Sequence, residues 1–231
     1  MARITHARLA ELAQDQWGLL TRQQAETAGV SPATLQRLAG GVLERVAHGV
    51  YHLTGAPEPD HLELRAAWLQ LAPEVPAWKR APSEGVVSHR SAASLFGLGH
   101  LPADRHDFIF PVRRQTRRPD IRLHQAVLEP RELVSHFGLP VTRPSRIACD
   151  LIDDREDAEA VAHVVADALR GGVEQSALFA QSLGSVAHRL GLRRGDGLGS
   201  LRWLLDLIAA EDGPKWIEQA HLALLRATSR A

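Results

Sequence analysis

The chain has 231 residues, 45% of them hydrophobic, which is enough for one large or two modest packed cores. Its formal net charge of zero excludes nucleic-acid binding driven by the charge of the whole surface and leaves that role to local patches. One cysteine, Cys149, excludes an internal disulfide and fits a reducing compartment, while the absence of a signal-like start and of any run of about 20 apolar residues points to a cytoplasmic protein without a membrane span.

His6 to Gln16 places Leu9, Leu12 and Ala13 on one side of a first helix. Thr21 is a good N-cap for a short helix over Arg22 to Ala28, and Gly29 supplies a turn. Ser31 followed by Pro32 is a second helix start, a cap with proline at the first helical position. That helix runs to about Ala39 and stops at Gly40-Gly41. Two short helices joined by a glycine-containing turn form the helix-turn-helix signature. Leu19, Leu20, Ala25, Ala28, Val30, Leu35 and Leu38 give the pair one inward face. The following run from Leu43 to Leu53 is rich in β-formers and broken by Gly49, so it predicts the hairpin of a winged variant.

This segment predicts a head that reads duplex DNA. With Leu35 and Leu38 turned inward, the outer face is left with Ser31, Ala33, Thr34, Gln36 and Arg37. Ser31, Thr34, Gln36 and Arg37 are the candidates for base edges in the major groove. Ser31, through its cap, also aims first-turn amides at a phosphate. Arg45 and His48 on the wing are the candidates for backbone or minor-groove contact.

Gly55, Pro57 and Pro59 mark a linker, which divides a head of about residues 1–56 from a second domain of about 60–231. His61 to Leu71 reads as a helix, and the proline-rich stretch to Pro82 as irregular. Ser88 reads as the cap of a helix over Arg90 to Phe96. Asp107–Val112 and Ile121–His124 are strand candidates, and Leu139–Thr142 is a short extended piece. Pro144 opens a helix to Ile152. Helices over Glu156–Leu169, Glu174–Leu190, Leu198–Ala210 and Lys215–Ala227 follow, separated by glycines. The expected class is α+β: an N-terminal winged helix-turn-helix, then a mixed α/β domain ending in a helical layer.

Charge is placed unevenly. From Arg105 to Arg146 there are nine arginines against four acids, and from Asp150 to Arg170 seven acids against two arginines. Arg113, Arg114, Arg117 and Arg118 are the candidates for a nucleic-acid contact outside the head. Acids capping helix N-termini and solvated arginines would explain the same pattern.

Several phrases resemble one family in the same order. Arg45–Gly55 resembles the wing of AbiEi-type antitoxins, Ser88–Leu98 their "SH-x-SA-x-x-x-x-GL" segment, and Leu139–Leu151 their "LPVT-x-P-x-R-x-x-x-D-L" segment. The matched phrases span about the first 155 residues. The resemblance implies a repressor that binds inverted repeats in its own operon. It also implies an antitoxin of a type IV toxin–antitoxin or abortive-infection module, acting against a nucleotidyltransferase-like toxin without an assumed direct contact. Operator symmetry implies a homodimer or two monomers on one repeat. Within the matched phrases the residues read as structural. Ser88 caps a helix, His89 bonds nearby backbone, Thr142 or Arg143 caps before Pro144, and Arg146 pairs with Asp150 four residues on.

Two other classes stand beside this one. A stand-alone winged-helix regulator would use its second domain to sense a ligand or to dimerise. A metal-dependent nuclease would need clustered carboxylates and a lysine, but the only lysines are Lys79 and Lys215. Glu211-Asp212-Gly213-Pro214-Lys215 has the residue types, but in a helix break. The twelve histidines show no metal-ligand spacing, and Asp104–Asp107 is the nearest cluster. No nucleotide-binding glycine loop or Gly-x-Ser-x-Gly elbow is present. No catalytic residue, metal or cofactor is therefore assigned, and no enzyme activity is expected.

Overall fold

The computed structural model describes residues 2–229, which fall into two compact units, Met1–Gly85 and Val86–Ala231. The first unit contains helix α1 (Ala2–Gln14), strand β1 (Leu19–Thr21), helices α2 (Arg22–Thr27) and α3 (Pro32–Leu38), strands β2 (Leu43–Ala47) and β3 (Val50–Leu53), and helix α4 (Leu62–Leu71). The sheet order is β1-β3-β2, with every pair antiparallel. This is a winged helix-turn-helix, and its wing is the β2–β3 hairpin.

Local sequence explains each turn. Thr21 accepts from the Gln24 backbone N–H while the Gln24 side chain accepts from the Thr21 N–H, a reciprocal capping box that starts α2. Gly29 follows that helix with φ +83°, a left-handed conformation that costs glycine nothing. Ser31 then caps α3, with Pro32 at its first position. Leu9, Ala13, Leu20, Ala25, Val30, Leu35 and Leu43 close one core, with Leu38, Tyr51 and Leu53 packed on it. Leu19 and Leu20 are buried as expected, and they also form a third strand, paired with His52 and Tyr51, that was not anticipated. Three residues are too few to show a period of two.

The boundary expected near residues 56–60 lies instead after Gly85. The segment beyond the wing packs back onto the head, so the prolines bend the chain without dividing it. Trp68 meets Trp17 edge to face with centroids 6.0 Å apart, and the Arg65 guanidinium lies 4.3 Å above the Trp17 ring. Gln16 and Gln24 are both buried; their amides bond each other and also reach the Ala77 N–H and the Val75 carbonyl. The Thr21 hydroxyl donates to the Pro73 carbonyl.

The second unit holds strand β4 (Val86–Val87), helix α5 (His89–Phe96), strands β5 (His106–Phe110), β6 (Ile121–Gln125), β7 (Leu133–His136) and β8 (Leu139–Thr142), and helices α6 (Pro144–Asp153), α7 (Ala158–Arg170), α8 (Ser176–Leu183), α9 (Gly197–Leu207) and α10 (Gly213–Thr228). The strands form a mixed sheet of order β6-β5-β4-β8-β7. β4 runs antiparallel to β5 and parallel to β8, and β7–β8 is a hairpin. Phe108, Ile109, Phe110, Leu139 and Val141 are buried in this sheet. α6 packs against α5, α7 and α8, and α8, α9 and α10 pack on one another.

Two expectations change here. β7 was not anticipated, because its half-buried residues carry no clear alternation. The single helix expected over Glu174–Leu190 is α8 followed by a 3-10 turn at Ala187–Leu190. Gly184 marks the break, its backbone N–H lying 2.8 Å from where a Cβ on Gly197 would sit. Among the described residues no helix is long and apolar enough to cross a membrane.

Candidate nucleic-acid interface

Leu35 anchors α3: it is 1% exposed and sits in the core of the head. A helix with one buried position turns its opposite face outward. Ser31, Pro32, Ala33, Gln36 and Arg37 are exposed, and Thr34 is half-buried. The Ser31 hydroxyl accepts from the Thr34 N–H at 3.3 Å and lies 3.0 Å from the Thr34 hydroxyl. Ser31 and Thr34 therefore serve first to begin the helix. Gln36 and Arg37 are the long polar side chains that this face leaves to solvent, and Ala33, one turn earlier, keeps the approach to them low.

The wing tip is held from two sides. The Arg22 N–H donates to the Gly49 carbonyl at 2.8 Å, and the Gln70 amide donates to the His48 carbonyl at 2.7 Å. The β2–β3 register shifts between Arg45 and Ala47, a bulge that re-aims side chains at the end of a hairpin. Arg45 Nη2 comes within 3.0 Å of His48 Nδ1. Both residues are exposed, so the structure gathers them into one patch beside the turn.

The four loop arginines belong to the second unit and are not equivalent. Arg118 pairs with Asp120, which holds that carboxyl below its usual range. The Arg114 guanidinium lies 4.3 Å above the Phe110 ring. Arg113 and Arg117 are exposed.

The second unit also assembles a polar cluster that linear spacing does not reveal. His89 and His124 stack with centroids 3.6 Å apart and planes 15° apart. Ser88 was expected to cap α5, but its hydroxyl makes no cap bond and lies 2.9 Å from His89 Nδ1. His89 was expected to bond backbone; it bonds Ser88 and stacks on His124 instead. His124 Nε2 is 2.8 Å from Asp107 Oδ1. Both Asp154 oxygens accept from the Arg122 guanidinium, at 2.7 and 3.0 Å. Burial, then the neighbouring His124, Arg122 and Arg146, push the His89 imidazole down to about 2, so it is neutral at any ordinary pH. His89 also holds φ +51° at the first position of α5, a conformation that costs a non-glycine residue about 1–3 kcal/mol.

Beside this cluster the expected Arg146–Asp150 pair is present, with Nε to Oδ1 at 2.7 Å, and Arg146 also reaches Glu132 at 2.7 Å. Burial pushes Asp150 up to about 6 against the pull of Arg146, and its Oδ2 has no hydrogen-bond partner. Arg143 precedes α6 without a side-chain cap bond and instead grips the buried Glu174, which also accepts from the Ser145 hydroxyl. Thr142 makes a long 3.5 Å bond to the Val87 carbonyl. Arg146, Asp150 and Ser145 line a cavity of about 640 Å³.

Residues 7–54 match a family model described as a transcriptional regulator, AbiEi antitoxin. The match runs from within α1 to the end of the wing and bears out the resemblance read from the sequence over those residues. No curated protein matches the chain. Among solved structures, the RV2827C protein from Mycobacterium tuberculosis superposes with a TM-score of 0.52 at 16% identity, over 94% of this chain and 81% of that one. At that identity the likeness is one of fold.

Proposed function

We propose that the protein binds duplex operator DNA through its winged helix-turn-helix, represses its own operon there, and acts as the antitoxin to a nucleotidyltransferase-like toxin encoded beside it. The outward face of α3 carries this reading. An α-helix is about 10–12 Å across and the major groove about 12 Å wide, and Leu35 fixes which side of α3 faces out. Gln36 has the amide geometry for adenine, and Arg37 the fork for guanine. Arg45 and His48, side by side at the wing tip, suit flanking phosphates or the minor groove. Inverted repeats require two copies of the head, supplied by a homodimer or by two monomers on successive half-sites. The match to regulators described as antitoxins supports the pairing with a toxin. The second unit would supply that activity, with Arg113 and Arg117 available for further phosphate contact.

A gel-shift titration of the intact protein on the DNA upstream of its own gene tests the DNA reading. Gln36→Ala or Arg37→Ala weakens specific binding by about 1–3 kcal/mol, roughly 5- to 150-fold. Unchanged affinity in both variants refutes the placement of α3 in the groove. Co-expression with the neighbouring gene tests the second half. Repression without relief of toxicity identifies a stand-alone regulator instead.

A further inference from the structure

We propose that His89, His124 and Asp154 bind a divalent transition-metal ion, with Zn²⁺ the best fit to the donors. The proposal goes beyond DNA binding, since all three residues lie in the second unit. Each offers one ligand atom, and these atoms lie within 4.8 Å of one another. They arrive from the start of α5, from β6 and from the residue after α6. Two imidazoles and a carboxylate form a donor set for Zn²⁺ and its first-row neighbours, whereas Mg²⁺ and Ca²⁺ favour oxygen alone.

The tethers around the histidines argue for a ligand role. His89 Nδ1 is held by the Ser88 hydroxyl and His124 Nε2 by the Asp107 carboxylate. Metal-bound imidazoles are oriented in this way: one nitrogen is fixed by an oxygen and the other keeps its lone pair for the ion. His89 Nε2 faces Asp154 Oδ2 at 4.0 Å, too far for a hydrogen bond. A tetrahedral ion with bonds of about 2.0–2.1 Å holds its ligands roughly 3.4 Å apart, so this edge closes by about 0.6 Å on binding. The two rings also tilt out of their stack, because each lone pair lies in its ring plane. Arg122 aims the Asp154 carboxylate at the site, and each carboxylate oxygen keeps a second lone pair. The left-handed backbone of His89 is strain of the kind retained where the position of a side chain matters. Three protein ligands leave a fourth position for water or a substrate atom.

The test uses the full-length protein, stripped with a chelator and titrated with Zn²⁺ against a chromogenic competitor. Co²⁺ absorbance reports the coordination. Wild type takes up one ion per chain at micromolar Zn²⁺ and gives a tetrahedral Co²⁺ band. Asp154→Asn weakens binding at least tenfold and alters that band, and His124→Gln does the same. Asp107→Asn, which touches no ion, weakens binding about 10- to 100-fold by replacing the carboxylate that holds His124 with a weaker, neutral acceptor. Circular dichroism checks that each variant is folded; if His124→Gln is not, Asp154→Asn at the end of α6 decides. Two results overturn the proposal: wild type that binds no Zn²⁺ in this range, or folded Asp154→Asn and Asp107→Asn proteins that bind it as wild type does.

Discussion

Leu35→Ala separates what holds α3 in place from what α3 presents. Leu35 is 1% exposed and belongs to the apolar core formed with Leu9, Leu20, Val30 and Leu43. Truncation removes three carbons, about 2.4 kcal/mol of transfer at roughly 0.8 kcal/mol each. The cavity adds to this, because the neighbours close only part of it, which brings the cost to about 3 kcal/mol within the usual 2–5. That is a large share of what a unit of this size has. Amide hydrogen exchange read on peptides covering residues 19–53 measures the effect where it occurs. Openings that expose the whole head become about a hundredfold more frequent, since about 1.36 kcal/mol is tenfold. Gln36→Ala is the mirror case: an exposed change of this kind stays within about 0.5 kcal/mol, so exchange is unchanged while operator affinity falls. Exchange in Leu35→Ala within fivefold of wild type refutes the anchoring role. Gln36→Ala accelerating exchange as much as Leu35→Ala refutes the division between the two faces.

In the second unit, Gly197→Ala places a Cβ 1.7 Å from the Ala180 carbonyl oxygen and 2.8 Å from the Gly184 nitrogen. Backbone atoms cannot rotate away, so α8 and α9 must part, and the cost exceeds the roughly 1–3 kcal/mol of ordinary overpacking. Thermal melting within 2 °C of wild type counts against this account of the α8–α9 contact. Burial pushes the Cys149 thiol up to about 12 from an ordinary 9.0. At pH 8 the folded protein then holds about a thousandfold less thiolate than a free cysteine does. Alkylation by iodoacetamide should be correspondingly slow until denaturant opens the fold, and rapid labelling of the native protein contradicts the burial.

What the sequence made legible follows from the range of the signals. The two helices of the head are announced by local chemistry, Thr21 with Gln24, then Gly29, then Ser31-Pro32, and each of these acts within four residues. The wing is announced by β-formers around one glycine. β1 and β7 have no comparable signal: each is defined by its partner strand, Tyr51–His52 for one and Leu139–Thr142 for the other. The boundary failed for the same reason, since Pro57 and Pro59 look like a linker until Trp17 meets Trp68 and Gln16 meets Ala77 across the turn. The candidate sites divide along the same line. A recognition helix is one short segment, so its exposed face follows from one buried leucine and the helical period. The histidine cluster draws on residues 88, 89, 107, 122, 124 and 154, which only the sheet order and the ends of α5 and α6 bring together. A search for metal-ligand spacing within one segment passes over such a site, because each element contributes a single ligand. Asp107 is the one member that the sequence marked, in the Asp104–Asp107 cluster: it is buried directly before the apolar run Phe108–Phe110, and a buried carboxylate needs a partner.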